Sequence, residues 1–173
     1  LMITKSSARR VVPSIVLILG ASLSSSQTTA PAKRNRPLTR PESTKFVETS
    51  RYDDVVSFMK AMAAASPQIH LATYGYTYEG RPMPLAVIGA PTASAPGVLA
   101  TGKTRVFIQG NIHGGEVEGK EALLWLLRSI ARGERTRWFR DVVLLITPIY
   151  NADGNERVNV ANRLLARGTV RQR

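Results

Sequence analysis

His113 and Glu116 stand three residues apart, with Gly114 and Gly115 between them, directly after the apolar run Val106-Phe107-Ile108. These types suit one chemistry. An imidazole nitrogen and a carboxylate oxygen are both zinc ligands, and two intervening glycines permit the tight backbone path that turns both side chains onto one cation. A zinc site takes three or four ligands, and the only other histidine is His70. The segment therefore offers part of a metal site. Alone, a His-x-x-Glu says little, because His113 could simply hydrogen-bond a loop while Glu116 caps the next helix. Its context raises it: a strand before, glycines inside, a helix after.

The elements that must position this pair can be read from periodicity. Arg105 to Gln109 reads as a strand apolar enough to be central. A helix is predicted from about Glu116 to Arg132, with Leu123, Leu124, Leu127, Ile130 and Ala131 inward and Gly133 as its stop. Val142 to Ile146 is a continuous apolar strand, buried on both faces. Strand, crossover helix and strand make a βαβ unit, so the two strands are expected to be parallel. In an open α/β sheet, ligands bind beyond the carboxyl ends of the strands. That places the His113–Glu116 loop and the turn Asn151-Ala152-Asp153-Gly154 on one rim. Upstream, Tyr52, Val55, Val56, Met59, Met62 and Ala63 recur at helical spacing behind a Ser50 cap, and Ser66-Pro67 ends that helix near Ala65. Ile69 to Thr73 and Leu85 to Gly89 form a hairpin about the turn Glu79-Gly80. Ala90 to Lys103 reads as a loop.

Composition narrows the function classes. There is no cysteine, so disulfides, thiolate zinc sites and cysteine nucleophiles are excluded. The formal charge is +12, but its placement matters: residues 1–45 are net +7, residues 155–173 net +4 and residues 46–154 only net +1. The excess lies at the ends and not on a folded surface, which argues against nucleic acid as a partner. Lys5, Arg9 and Arg10, then the apolar Val11 to Gly20, then small residues to Ala30 have the three parts of a secretion signal over residues 1–30. The apolar run falls short of the about 20 residues that span a bilayer. The expectation is a secreted or bacterial periplasmic or envelope protein, with no membrane contact after signal cleavage. Residues 31–45 read as a flexible linker, and the folded part is expected over 46–173.

Gln109-Gly110-Asn111-Ile112-His113-Gly114-Gly115-Glu116, followed by Gly119-Lys120-Glu121-Ala122, resembles the first metal-binding segment of the zinc carboxypeptidase family. The order of the rest agrees. Tyr52 to Val56 resembles the family's opening helix, Glu79-Gly80-Arg81-Pro82 its turn before the second strand, and Thr147 to Gly154 its strand-to-loop segment. Asn162-Arg163 follows at the family's spacing. The similarity covers about residues 46–165.

The resemblance implies an α/β domain, a mixed sheet flanked by helices, of which this chain holds the first half. It implies a Zn2+ exopeptidase acting on peptide or protein C-termini, with His113 and Glu116 as two metal ligands. The family's third ligand is a later histidine and its general base a late glutamate. No histidine follows His113, so the third ligand is not assigned within the chain, and neither is a catalytic base. The family's oxyanion-stabilising arginine would fall at Ala166. The neighbouring Arg167 could serve for substrate binding only if the loop shifts, and a solvated tail arginine is the plainer reading. Glu118 and Glu121 are read as surface or capping carboxylates, His70 as a packed or surface histidine, and Trp125 and Trp138 as packing residues. Asp153-Gly154-Asn155 is too short for a calcium loop. The chain is expected to be a truncated or frame-disrupted N-terminal portion, inactive or nearly so alone. Two other readings are a secreted non-catalytic binding module and a related zinc amidohydrolase or deacylase.

Overall fold

The computed structural model describes residues 37–157. The expected signal segment, Asn162-Arg163 and Arg167 lie outside them. In chain order the elements are α1 (Arg40–Ser43), α2 (Tyr52–Ala65), β1 (Ile69–Tyr76), β2 (Pro82–Ile88), α3 (Ala95–Leu99), β3 (Thr104–Gln109), α4 (Val117–Ala131), β4 (Val142–Thr147) and α5 (Ala152–Glu156), with a 3-10 turn at Thr136–Arg140 before β4. The four strands form one mixed sheet in the order β1-β2-β4-β3. The β1–β2 and β2–β4 pairs are antiparallel, and β3–β4 is parallel. The βαβ unit expected from the periodicity is present, with Val106 opposite Leu144 and Ile108 opposite Ile146.

Alternation along the strands makes two unequal layers. Ala86, Ile88, Leu144 and Ile146 face α2 and α4 and meet Val55, Met59, Met62, Leu124, Leu127 and Ile130. Each of the larger of these side chains contributes about 1.5–3 kcal/mol by leaving water, so this layer is the main source of cohesion. On the opposite face, Val87 and Val143 gather Ala90 and Val98 into a smaller cluster. β4 is thus covered on both sides, as its unbroken apolar run implied.

Among the described strands β3 pairs with β4 alone. Its apolar residues fall on alternate positions, so Val106 and Ile108 face the core while Phe107 is 50% exposed. Three expectations need correction. Ser50 is not the cap of α2. Arg51 holds that position, its amide donating to Asp54 Oδ2 at 2.9 Å, because Ser50 is drawn into a buried contact with Glu121. The loop from Ala90 to Lys103 contains α3, started by the Ser94 hydroxyl accepting from the Gly97 amide at 3.2 Å. Residues 40–43, within the expected linker, form α1, and Glu42 ties it to Arg128 of α4 through two 2.6 Å hydrogen bonds.

Candidate metal centre

The polypeptide leaving β3 and the one leaving β4 run side by side beyond the sheet. The Gly110 amide donates to the Thr147 carbonyl, the Tyr150 amide to the Gly110 carbonyl and the Asn151 amide to the Asn111 carbonyl, each at 3.0 Å. Both loops therefore share one rim, as parallel pairing requires. A side chain at Gly110 would meet the backbone of Gly119 at 2.9 Å and of Lys120 at 3.0 Å, and one at Gly114 would strike the backbone of Gly154. These glycines let three backbone segments close up around the motif.

His113 and Glu116 meet at this rim. Nδ1 of the imidazole lies 2.8 Å from Glu116 Oε1, and the His113 amide donates to Glu116 Oε2 at 3.1 Å. The Glu116 amide returns a hydrogen bond to the His113 carbonyl at 2.9 Å, closing a tight turn. Both side chains are open to solvent, at 57% and 41% exposure, so an ion can reach them. Two donors about 2.1 Å from a tetrahedral zinc stand roughly 3.4 Å apart. The observed pair has to part by only about 0.6 Å to meet that spacing. Nδ1 must then offer its lone pair, with the ring proton on Nε2. The donor types and their convergence fit a divalent cation. Among the described residues, no cluster of three or more His, Cys, Asp or Glu could hold one.

The other singled-out residues lie outside this pair, most of them with structural partners. Glu121 accepts from the Thr49 hydroxyl at 2.7 Å, the Ser50 amide at 2.7 Å and the Ser50 hydroxyl at 2.9 Å, so it braces the approach to α2. Glu118 is exposed in the first turn of α4. His70 is opposite Val87 on β1, with β2 and β4 between its strand and β3. Trp125 packs edge-on to Phe46 at 6.5 Å, and Arg135 stacks over Trp138 at 5.5 Å. The Asn151 side chain caps α5, accepting from the Gly154 amide at 2.9 Å. Asp153 clamps the β1–β2 turn: it accepts from the Thr77 hydroxyl at 2.8 Å, the Glu79 amide at 2.9 Å and Arg81. Burial works to raise the Asp153 carboxyl, but the Glu79 amide, Thr77 hydroxyl and Arg81 guanidinium outweigh it and hold the group below the usual range.

Sequence reasoning gave no role to Asn111 or Asn155. Asn111 carried a readable signal, since asparagine directly before a glycine-flanked motif tolerates left-handed backbone. Asn155 carried none. Its side chain bonds Lys120 and the Ser50 carbonyl, partners far apart in sequence.

A family model described as zinc carboxypeptidase matches residues 55–173. Carboxypeptidase D of Mus musculus is 35% identical over 116 residues, covering 57% of this chain and 8% of that protein. Carboxypeptidase 2 of Trichophyton rubrum is 28% identical over 108 residues, covering 61% and 20% respectively. The solved structure of a metallo-carboxypeptidase from Burkholderia cenocepacia is similar with a TM-score of 0.51 at 26% identity, over 61% of this chain and 28% of that one. The chain thus spans only 8% and 20% of the length of these two curated relatives.

Proposed function

The chain belongs to the zinc carboxypeptidase family, and from that premise we propose that His113 and Glu116 are two protein ligands of a zinc ion in a site that removes C-terminal residues from peptides. The observation that carries this reading is the 2.8 Å approach of Nδ1 to Oε1 on the rim beyond the parallel strands. A catalytic zinc takes three protein donors, so the pair is part of a larger set. Bound there, zinc would supply Lewis-acid polarisation of a scissile carbonyl.

The chain's own residues have definable tasks. His113 gives up its hydrogen bond to Glu116 and presents a neutral ring nitrogen. Glu116 brings the negative charge that makes a dication welcome. The hydrogen-bonded loops from β3 and β4 fix the rim on which a peptide end would lie. The Arg81–Asp153 clamp holds the β1–β2 turn against that rim. The N-terminal signature over residues 1–30 supports export, and among the described residues no helix is long and apolar enough to cross a membrane.

Zinc titration of the chain by competition with a chromophoric chelator tests the ligand assignment. Weak zinc binding is expected from two protein ligands, lost in both His113→Gln and Glu116→Gln, whereas tight stoichiometric binding would point to a site completed by other residues of the chain. Equal binding by His113→Gln and the parent would refute it. Comparing release of C-terminal residues from peptides with hydrolysis of N-acyl amino acids separates a peptidase from a deacylase, and N-terminal sequencing of exported protein locates the signal cleavage.

A further inference from the structure

Asn111 combines two unfavourable features at one position. Its φ is +56°, in the left-handed region that L residues avoid, and its side chain is buried, with the residue 2% exposed. The side-chain oxygen has no hydrogen-bond partner among the described residues. Strain and an unsatisfied acceptor persist where the surroundings impose them, and they gather at functional loops. What Asn111 does in return is specific. Its Nδ2 donates to the His113 carbonyl at 3.2 Å and to the Glu116 carbonyl at 3.1 Å. One amide nitrogen therefore grips the backbone of both residues that meet at the rim. The Asn111 carbonyl meanwhile accepts from the Asn151 amide at 3.0 Å, which anchors the grip to the neighbouring loop.

The residue type follows from these demands. Left-handed backbone admits Gly, Asn or Asp. Glycine has no side-chain donor, and an aspartate would set an acceptor against two carbonyls. Asparagine alone meets both needs. The grip also differs in kind from the direct His113–Glu116 contact. That contact must open when a cation takes its place, whereas the Nδ2 bonds run to backbone and can stay closed.

We propose that Asn111 is a positioning residue that holds the His113 and Glu116 backbones at the spacing a divalent ion needs. The proposal rests on the metal reading above. Three variants of the whole chain separate the two: Asn111→Gly, Asn111→Asp and His113→Gln. Each is measured for zinc affinity by chelator competition, for the visible absorption of its cobalt adduct, and for its thermal midpoint in the absence of metal. Asn111→Gly keeps the backbone geometry and deletes both donors. It should retain a thermal midpoint near the parent's, bind zinc about tenfold more weakly, as loss of an orienting partner typically does, and give an altered cobalt spectrum. Asn111→Asp adds a negative charge that by itself would tighten zinc binding, so weaker binding by this variant reports the lost donors, even if the glycine variant fails to fold. Parent-like zinc affinity in the glycine variant, or equal or tighter binding by the aspartate variant, overturns the role of Asn111 while His113→Gln still loses zinc. If His113→Gln binds as well as the parent, the metal reading itself fails and takes this inference with it.

Discussion

Lys120 should show a cost of burial that alkaline pH relieves. Its side chain is fully enclosed beneath the rim, and Nζ donates to the Ser50 carbonyl and to Asn155 Oδ1. Burial pushes the ammonium down from its ordinary 10.5 to about 8, with Glu121, Glu156 and Asp54 favouring the charge and Arg51 opposing it. The unfolded chain keeps this proton to near the ordinary value, while the folded chain releases it near pH 8. Between those values the unfolded state binds more protons, so this group's contribution to stability rises with pH. The gap is worth about 3.4 kcal/mol in full, and roughly 2.4 kcal/mol between about pH 7.5 and about pH 10. A neutral amine keeps two hydrogens for its two acceptors, so the hydrogen bonds survive the titration. Lys120→Met removes the titrating group and keeps an unbranched side chain. At about pH 7.5 its loss of two hydrogen bonds, each worth about 1.5–3 kcal/mol to a charged group, opposes the relieved burial cost. The decisive quantity is therefore the change with pH. Urea unfolding of both proteins at each pH should show the stability difference moving by about 2 kcal/mol in the parent's favour, other groups cancelling between the two. A difference that stays constant, or moves toward the variant, would refute the claim that a buried ammonium sits here.

Glu42 gives a slope of the same sign in the acid range. Hydrogen bonding to Arg128 first of all, with the Thr39 amide and hydroxyl assisting, holds its carboxyl at about 2 against an ordinary 4.5; the stabilisation is present above that ordinary value and lost as pH falls toward the folded one. Glu42→Gln should cost roughly 1–2 kcal/mol near neutrality after allowance for solvent screening, and the deficit in urea unfolding should shrink below about pH 4.5. Two glycines of the motif should respond with opposite signs. Gly114→Ala drives a methyl into the Gly154 backbone and should destabilise by about 1–3 kcal/mol with loss of zinc affinity. Gly119→Ala, inside α4 with only a 3.6 Å contact to Gly110, should stabilise by up to roughly 0.5–1 kcal/mol in thermal or urea unfolding.

Features whose causes are local in sequence could be read before any coordinates. The α4 stripe, the apolar run of β4 and the β1–β2 hairpin each follow from residues within a few positions of one another. So does the His113–Glu116 pair, because the glycines between its members set the turn. The α3 start carried a local signal too, Ser94 preceding Pro96 in the pattern of a capped helix, although the composition of Ala90 to Lys103 reads as a loop. Features held by distant partners were not legible in this way. At Arg40–Ser43 the sequence carries only a short local signal, the Thr39–Glu42 capping box with Pro41 in the first turn, and Arg128, 86 positions away, holds Glu42 there. Ser50 has the composition of a cap, but a carboxylate 71 positions on takes its amide and hydroxyl.

The division between apolar and polar burial bears on how the site is held. The sheet body is joined to α2 and α4 by side chains without directional preference. Below the rim, Ser50, Asn111, Lys120, Thr147 and Asn155 are buried instead. Burying such groups costs free energy unless each finds a partner, and apolar substitutes would secure the same volume more cheaply. Directional bonds, however, fix orientation. Lys120 joins the start of α4 to the Ser50 carbonyl ahead of α2 and to Asn155 in α5, and Gly154 of α5 lies against Gly114 between His113 and Glu116. Position at the rim is thus transmitted through hydrogen bonds, while cohesion comes from the apolar layer beneath. The two should be separable: shortening a core side chain such as Leu127, fully buried far along α4, lowers stability by about 2–5 kcal/mol and leaves zinc affinity in the folded chain unchanged, whereas loosening the Lys120–Asn155 contact alters the affinity as well.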